Sequence, residues 1–287
     1  MDDLIKRRYP GDPSEIQPRQ TLDSGGIPAI RKISISDPAR WLSEGWQDIW
    51  RAPVALLHGI LVTALGLAIL WLTWDQPWLS MAALTGFLLV GPALAVGVNE
   101  LARRLETGDR ESLGIGQCLG AIPALGVSLW LFAGMLAGLF LLWAGFMTLW
   151  IGVMNVGELG VPANLGELLG AMLSSPRGMI SLVGVVATGA LLAVVAFALG
   201  AVTVPVMLDR RTGLIDAVAV SLKAFLHNPW PMLFWAALIT ALFGVAVLTA
   251  LIGLIVIFPW LGFAMWHGYR ALVDPGTPAP PQGKARS

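Results

Sequence analysis

Long apolar stretches dominate the chain, and each has the length of a membrane-spanning helix. A helix needs about 20 mostly apolar residues to cross a hydrocarbon core of about 30 Å. This requirement predicts spans at about 54–74, 78–99, 122–153 and 179–208. The last stretch, Pro231–Tyr269, has no Asp, Glu, Lys or Arg and would be about 58 Å long as one helix. We therefore predict a turn near Leu248–Gly253 and two spans, at 230–248 and 252–270.

Composition excludes an ordinary soluble domain. Of the 287 residues, 56% are hydrophobic and 13% are charged, whereas soluble domains carry about 25% charged residues. The single cysteine, Cys118, excludes an internal disulfide and a thiolate metal site. The first fifty residues are polar and lack the apolar core of a signal peptide. We expect the first internal apolar segment to direct insertion.

The basic residues indicate the orientation in the membrane. With six spans, seventeen of the eighteen Lys and Arg lie on one side, and only Arg177 lies on the other. Cytoplasmic loops are enriched in Lys and Arg, so the pattern predicts cytoplasmic N- and C-termini. A five-span arrangement would place three C-terminal basic residues on the non-cytoplasmic side and weaken this pattern, so the pattern also favours six spans. The seventeen are Lys6, Arg7, Arg8, Arg19, Arg31, Lys32, Arg40, Arg51, Arg103, Arg104, Arg110, Arg210, Arg211, Lys223, Arg270, Lys284 and Arg286.

Short amphipathic segments precede the odd-numbered spans. Helices lying in the membrane interface are predicted at about 38–51, 111–121 and 213–227, and each is followed by a proline that marks the bend. In the first, Leu42, Trp46 and Trp50 form the apolar stripe, with Asp48 on the opposite, polar face. A fourth such helix, at about 163–174, begins with Asn164 and Glu167, which resemble a capping box. The membrane domain is then 31–273, and the tails 1–30 and 274–287 are expected to be disordered.

The even-numbered spans resemble one another in the position of a proline. Pro92, Pro205 and Pro259 each lie towards the cytoplasmic end and predict helix bends. One interpretation is three pseudo-repeats, each an interfacial helix plus a transmembrane hairpin. The other is coincidence, because proline is more frequent in transmembrane helices than in soluble ones. The fold class is in either case an all-α membrane protein with a six-helix transmembrane bundle.

Aromatic and small residues suggest how the bundle sits and packs. Most of the thirteen tryptophans fall near span ends, so we interpret nearly all of them as anchors at the headgroup level. Gly134 and Gly138 form a GxxxG pattern that suggests close helix packing in the third span.

The sequence offers few residues for chemistry. No charged residue lies near the centre of a span, where functional charges of membrane proteins occur. His58 and His267 are the only candidates for binding a cofactor, but their spacing fits no known metal or haem motif. We therefore predict no catalytic residue, no metal and no cofactor. A cluster at the cytoplasmic face is predicted from Asn99, Glu100, Arg103, His267 and Arg270.

Four segments together resemble a known family: Ile30–Ala52, Gly86–Leu105, Asn228–Ala236 and Phe258–Leu272. The likeness is clearest in the closing string Trp-His-Gly-Tyr-Arg at 266–270. The family consists of predicted bacterial integral membrane proteins of unknown function, mainly from proteobacterial inner membranes. The resemblance spans about residues 31–273 and implies location in a Gram-negative inner membrane. It implies no activity, and its occasional label as cytochrome-oxidase-related lacks support because the spans hold no set of buried histidine ligands.

Three function classes remain open. The favoured prediction is a non-enzymatic scaffold, assembly factor or accessory subunit that acts through its cytoplasmic helices. Its partners are the lipid bilayer and other membrane proteins, and nothing indicates nucleic acid. The second class is a transporter or permease for an apolar or lipid-like solute, suggested by the pseudo-repeats and proline bends. The third is an intramembrane enzyme or haem protein.

Overall fold

All regular structure in the described part of the chain is helical. The structure, a computed structural model, describes residues 28–73, 75, 91, 93–108, 114–154 and 165–274. Most of the predicted second span, Pro92, Asn164 and the tail residues 1–27 and 275–287 lie outside these residues. The expectation of disorder is wrong for the end of the N-terminal tail, because Ala29 and Ile30 are hydrogen-bonded or paired with Asp274 and Val273. The all-α prediction is confirmed for the described part. Its helices are α1 (Asp37–Arg51), α2 (Ala55–Leu72), α3 (Val96–Thr107), α4 (Ile115–Met154), α5 (Leu165–Ser174), α6 (Pro176–Gly200), α7 (Thr203–Arg210), α8 (Leu214–His227), α9 (Pro229–Leu248) and α10 (Leu254–Leu272).

Four helical stretches within the described residues are long and apolar enough to cross a membrane: Ala55–Leu72, Leu125–Trp150, Pro176–Arg210 and Pro229–Leu248. Their outer faces carry exposed large apolar side chains, including Trp71, Leu149 and Leu248. Such surfaces would be unstable in water and are typical of contact with lipid. The protein is thus an all-α membrane protein with several apolar helices.

The third predicted span begins at a different residue from the one the sequence indicated. Pro123 was expected to separate the interfacial helix from the span, but helical structure continues through it in α4. The break lies at Gly126, where φ is 54° and ψ is −137°. A side chain at this residue would be strained, whereas glycine adopts positive φ at little cost. The bend therefore occurs at the nearby glycine.

The fourth predicted span is divided into two helices. α6 ends at Gly200 and α7 begins at Thr203, so the predicted span over 179–208 consists of two helices with a break just before Pro205, where the sequence predicts a bend. Pro205 explains the break, because its ring has no N–H to donate and clashes with the carbonyl four residues earlier. At the break, the N–H of Val202 donates to Oγ of Ser221 in α8 at 3.3 Å, and this hydroxyl donates to the carbonyl of Ala198, four residues before Val202, at 2.9 Å. A buried serine thereby satisfies the interrupted backbone.

The core forms where α3, α7 and α10 pack on one another, with α1, α4 and α8 around them. α10 is buried along most of its length and lies against both α1 and α2. Glycines allow this close approach. A Cβ on Gly45 of α1 would lie 2.7 Å from the backbone nitrogen of Ala264, and one on Gly59 of α2 would overlap the carbonyl of Ile255. Backbone contact of this kind fixes how deeply α10 sits between α1 and α2.

The glycine pair predicted to mediate close packing does not do so. A Cβ on Gly134 or on Gly138 would meet no atom within 4 Å. Both face open space on α4, so the GxxxG interpretation is wrong for the described contacts. The close contacts involve glycines of α1, α2, α6 and α10, among them Gly59 and Gly184.

Several tryptophans pack inside the protein and are not anchors at its edge. Trp41, Trp235 and Trp266 are at most 2% exposed. The rings of Trp41 and Trp235 meet edge to face with centroids 5.7 Å apart, joining α1 to α9. The interpretation of nearly all tryptophans as anchors is therefore wrong for these three, although Trp50, Trp71 and Trp230 are largely exposed.

An extended segment before α1 ties the two ends of the described chain together. Ile30 pairs with Val273 in an isolated antiparallel bridge, and the N–H of Arg31 donates to the carbonyl of Leu272 at 2.8 Å.

The side chain of Asn228, at the junction of α8 and α9, binds the same extended segment. Its side-chain oxygen accepts from the N–H of Ile33 at 3.0 Å, and its Nδ2 donates to the carbonyl of Arg31 at 2.9 Å. We call residues 28–36 the N-terminal strap.

Candidate functional site

The most connected charged residue in the described part of the chain is Arg270, near the end of α10. Its Nε donates to Oε2 of Glu106 in α3 at 2.8 Å. Its Nη1 and Nη2 donate to the two carboxylate oxygens of Asp209 in α7 at 2.8 and 2.9 Å. One planar guanidinium thus joins the ends of α3, α7 and α10. We call Glu106, Asp209 and Arg270 the arginine junction.

Aromatic side chains surround the arginine junction. The guanidinium carbon of Arg270 lies 4.9 Å from the ring centroid of Trp266 and 5.1 Å from that of Tyr269. The same two side chains also donate hydrogen bonds to the carboxylates that bind Arg270. The indole N–H of Trp266 donates to Oε2 of Glu106 at 2.9 Å, and the hydroxyl of Tyr269 donates to Oδ2 of Asp209 at 2.6 Å. The Asp209 side chain is 8% exposed. The junction is therefore a satisfied, largely buried network, in which removing one member leaves charges unpaired.

The neighbouring Arg210 extends this network to the C-terminal end of the described chain. Its Nε approaches the hydroxyl of Tyr269 at 3.4 Å, and its Nη2 donates to the carbonyl of Asp274 at 2.6 Å. The carboxylate of Asp274 in turn pairs with Arg31 of the N-terminal strap at 3.1 Å. The strap, α7 and α10 consequently meet at one place.

His267 lies on another side of α10 and contacts α1. Its Nε2 is 2.7 Å from Oδ2 of Asp48, and its Nδ1 is 3.3 Å from Oε2 of Glu44. Asp48 is 5% exposed and also pairs with Arg51 at 3.0 Å. The sequence placed Asp48 on the outward polar face of α1, and this is wrong. α1 buries the face that contains Trp41, Gly45 and Asp48.

Of the predicted apolar stripe of α1, Leu42 packs against the core, whereas Trp46 and Trp50 face mostly away from it. Trp50 is 70% exposed, and Trp46 is 40% exposed although its ring packs on Trp260 of α10. α8 behaves similarly: it buries the small residues Ala217, Ser221 and Ala224, while Ile215 and Leu226 are exposed. α8 contacts the protein mainly through small residues, whereas the contact face of α1 also contains Trp41 and Ile49; both helices present other large apolar residues to their surroundings.

Glu100 of α3 forms a second charged group. Oε2 accepts from Nε of Arg103 at 2.8 Å, and Oε1 accepts from Nη2 of Arg103 and Nε of Arg104, each at 2.7 Å. Burial opposes ionisation of this carboxyl, but the hydrogen bonds and positive charges of both arginines outweigh it and hold the pKa of Glu100 below its usual value. Glu100 is therefore a carboxylate at neutral pH.

A cavity of about 600 Å³ opens beside this group, between α3, α4, α7 and the turn that leads into α8. Its polar lining includes Glu100, Arg103, Arg104 and Arg211. Its apolar lining includes Leu125 and Met207. We call this space the arginine cavity. A volume of this size fits a small ligand.

The five residues predicted as one cytoplasmic cluster fall into separate groups. Arg270 belongs to the arginine junction, Glu100 and Arg103 line the cavity, and His267 pairs with α1. Asn99 is fully buried between α3 and α10: its Nδ2 donates to the carbonyl of Ala95 at 2.9 Å, and its Oδ1 has no partner among the described residues.

The two histidines considered for a cofactor do not share a site. Nε2 of His58 is 3.2 Å from the carbonyl oxygen of Leu94, and the ring stacks on Phe258, whereas His267 contacts two carboxylates of α1. Within the described residues, no group of three or more His, Cys, Asp or Glu side chains is arranged to hold a metal ion.

Sequence reasoning missed Glu106, Asp209 and Asp48. The available signal was that each acidic residue lies close to a helix end next to basic residues, but this pattern is also typical of solvated helix ends. Only the packing of α3, α7 and α10 brings Glu106 and Asp209 to the same guanidinium.

Comparison with known proteins agrees with the membrane assignment. A family model described as predicted integral membrane protein (DUF2189) matches residues 80–209, which include α3, α4, α5, α6 and all of α7 except Arg210. No curated protein and no solved structure matches the chain. The match agrees with the resemblance to membrane proteins of unknown function. The chain is thus an integral membrane protein that matches, over residues 80–209, this family of predicted integral membrane proteins.

Proposed function

We propose that this chain is a six-span protein of the bacterial inner membrane with both termini in the cytoplasm, and that it acts as a non-enzymatic scaffold or accessory subunit. The distribution of seventeen of eighteen basic residues supports the topology. Four of the six proposed spans are the apolar stretches described above. The other two are the spans proposed from the sequence at 78–99 and 252–270. In this topology the arginine junction and the arginine cavity lie on the cytoplasmic side.

The observation that carries the proposed role is the tight joining of the three proline-associated segments. Arg270 connects α3, α7 and α10 by charge-assisted hydrogen bonds. Glycines at the contacts allow α10 to pack closely against α1 and α2. An alternating-access transporter needs such segments to move relative to one another. A fixed core suits a protein that presents a surface to partners.

The surface proposed for partner contact is formed by the outward faces of α1 and α8. Trp50 on α1 and Ile215 and Leu226 on α8 are at least 67% exposed. Interfacial helices of this kind bury such side chains in lipid or against another protein. The scaffold role requires that part of this surface contacts protein.

Photo-crosslinking in native membranes tests this requirement. A benzophenone amino acid at residue 215 or 226 should give discrete adducts with another polypeptide. The matched control is residue 149, where Leu149 is 72% exposed on the apolar stretch of α4 and is expected to contact lipid. Lipid adducts alone at all three positions would contradict a scaffold role.

Reporter fusions test the topology separately. Alkaline phosphatase fused after residue 287 should be inactive, and fused after residue 75 or 177 it should be active. A green fluorescent protein fusion at the C-terminus should fluoresce. An active phosphatase at residue 287 would contradict the cytoplasmic C-terminus.

A second candidate is a permease for an apolar or lipid-like solute, and the arginine cavity favours it because the cavity combines apolar and charged walls. The discriminating measurement is flux of a fluorescent phospholipid across liposomes that contain the purified protein. A scaffold leaves the flux equal to that of empty liposomes. Flux that depends on the protein and falls when Met207 is replaced by Trp to fill the cavity would favour the permease.

A further inference from the structure

We infer that the arginine cavity binds a phosphate group, such as that of an anionic lipid headgroup. Among the described residues that line the cavity are three guanidiniums, from Arg103, Arg104 and Arg211, and one carboxylate, from Glu100. These described residues together carry two net positive charges. Guanidinium forks match phosphate oxygens in geometry and remain charged at all physiological pH values.

Arg211 is the residue most available to such a ligand. Arg103 and Arg104 both bond the carboxylate of Glu100, which holds them at the cavity wall. Arg211 is exposed, and the described part of the chain offers it no carboxylate partner. An anion in the cavity would supply the missing counter-charge.

The start of α8 adds a second source of positive potential. Thr212 and Gly213 line the cavity, and Gly213 is the N-cap of this 14-residue helix without a side-chain cap. The first N–H groups of a helix point outwards and favour anions. Asp216 in the first turn offsets part of this potential, and its Oδ2 is engaged by the hydroxyl of Thr212 at 3.2 Å.

The position of the cavity relative to the apolar stretches suggests that the phosphate belongs to a lipid. Leu125, the first residue of the stretch Leu125–Trp150, lines the cavity, and Arg211 directly follows the stretch Pro176–Arg210. The cavity therefore lies where one apolar helix begins and another ends, at the level of the headgroups. A lipid could place its phosphate among the arginines and its acyl chains along α4.

Thermal unfolding of the purified chain in neutral detergent tests the site, because a ligand of the folded state raises the unfolding temperature. We expect phosphatidylglycerol to stabilise the protein more than phosphatidylcholine at equal concentration. Arg211→Gln should weaken the apparent affinity for phosphatidylglycerol about five-fold, the value of one basic residue near an anionic headgroup. Lys223→Gln is the matched control, because Lys223 is an exposed cation on α8 outside the cavity lining.

A second arm uses inorganic phosphate and pyrophosphate as probes. Stabilisation by these ions that is lost in Arg211→Gln would support the phosphate site with a soluble source, whereas stabilisation by phosphatidylglycerol alone would support the lipid. Arg211→Gln should unfold at the wild-type temperature without ligand, which separates binding from folding. Equal stabilisation by both lipids, or equal responses of Arg211→Gln and wild type, would overturn the inference. This result would leave the proposed scaffold role standing, because that role depends on α1 and α8.

Discussion

Asp209 and Arg270 form a two-point ion pair between the ends of α7 and α10, with N···O distances of 2.8 and 2.9 Å. Only 8% of the Asp209 side chain and 22% of the Arg270 side chain are exposed. Glu106 joins the same guanidinium from α3. This pair is therefore the point at which three helices from distant parts of the sequence are fixed to each other.

Arg270→Gln should destabilise the protein strongly, because it leaves the Asp209 and Glu106 carboxylates without their common cation. We expect a loss of about 2–4 kcal/mol, since partial exposure reduces the roughly 3–5 kcal/mol typical of a broken buried pair. Arg270→Lys should recover only part of this loss, because an ammonium cannot reproduce the fork. The measurement is unfolding in detergent followed by tryptophan fluorescence.

The control for this prediction is Arg40→Gln. The Arg40 side chain is 59% exposed in its pair with Asp37, and pairs of this kind contribute about 0–1 kcal/mol. Equal losses in the Arg40 and Arg270 variants would show that the junction contributes no more than a surface pair.

Gly59→Ala should destabilise the contact between α2 and α10. The added Cβ would overlap the backbone of Ile255, so the helices must separate, at a cost of about 1–3 kcal/mol. Gly134→Ala is the matched control, because a Cβ there meets open space and alanine favours the helix by up to about 1 kcal/mol. Both variants are compared by unfolding and by yield of monodisperse protein. If Gly59→Ala left the free energy of unfolding unchanged, α2 and α10 would not make this contact.

Asn228→Ala should release the N-terminal strap. The side chain bonds the N–H of Ile33 and the carbonyl of Arg31, and unpaired backbone groups cost about 1–3 kcal/mol each when buried. Trypsin should then cleave after Arg31 and Lys32 faster than in wild type, as followed by mass spectrometry. Thr240→Ala, which removes an exposed hydroxyl bonded only within α9, should leave the cleavage rate unchanged. Unaltered cleavage in Asn228→Ala would argue against the strap.

The ion pairs of Glu100 predict a loss of stability in acid. Its pKa is lower in the folded than in the unfolded protein, so its contribution is present above the unfolded pKa and disappears as pH falls through the folded pKa. Glu100→Gln should therefore be less stable than wild type at pH 7, and the difference should shrink in acid below the usual carboxyl range. Unfolding temperatures of both proteins across this pH range provide the test. A difference that stays constant with pH would contradict the ionised pair.

The positions of helices were largely predictable because they follow from properties local to the sequence. The length of an apolar run decides whether it can span a bilayer, as for the stretch Pro229–Leu248, and the absence of charge over Pro231–Tyr269 required a turn. Prolines indicated bends, but the residue at which the chain bends depended on its neighbours. The bend expected at Pro123 occurs at Gly126, which adopts a positive φ. At the break before Pro205, Oγ of Ser221 accepts a hydrogen bond from the backbone N–H of Val202.

The sequence by itself determined an all-α membrane protein, because apolar runs and their breaks are readable along the chain. Only the tertiary structure decided which faces of the helices meet. In a membrane protein, lipid and protein contacts are both apolar, so the stripe of α1 containing Trp50 could not be distinguished from its packed face, which contains Trp41 and Gly45. The arginine junction likewise depends on packing, since Glu106 and Asp209 reach Arg270 across 164 and 61 residues of sequence.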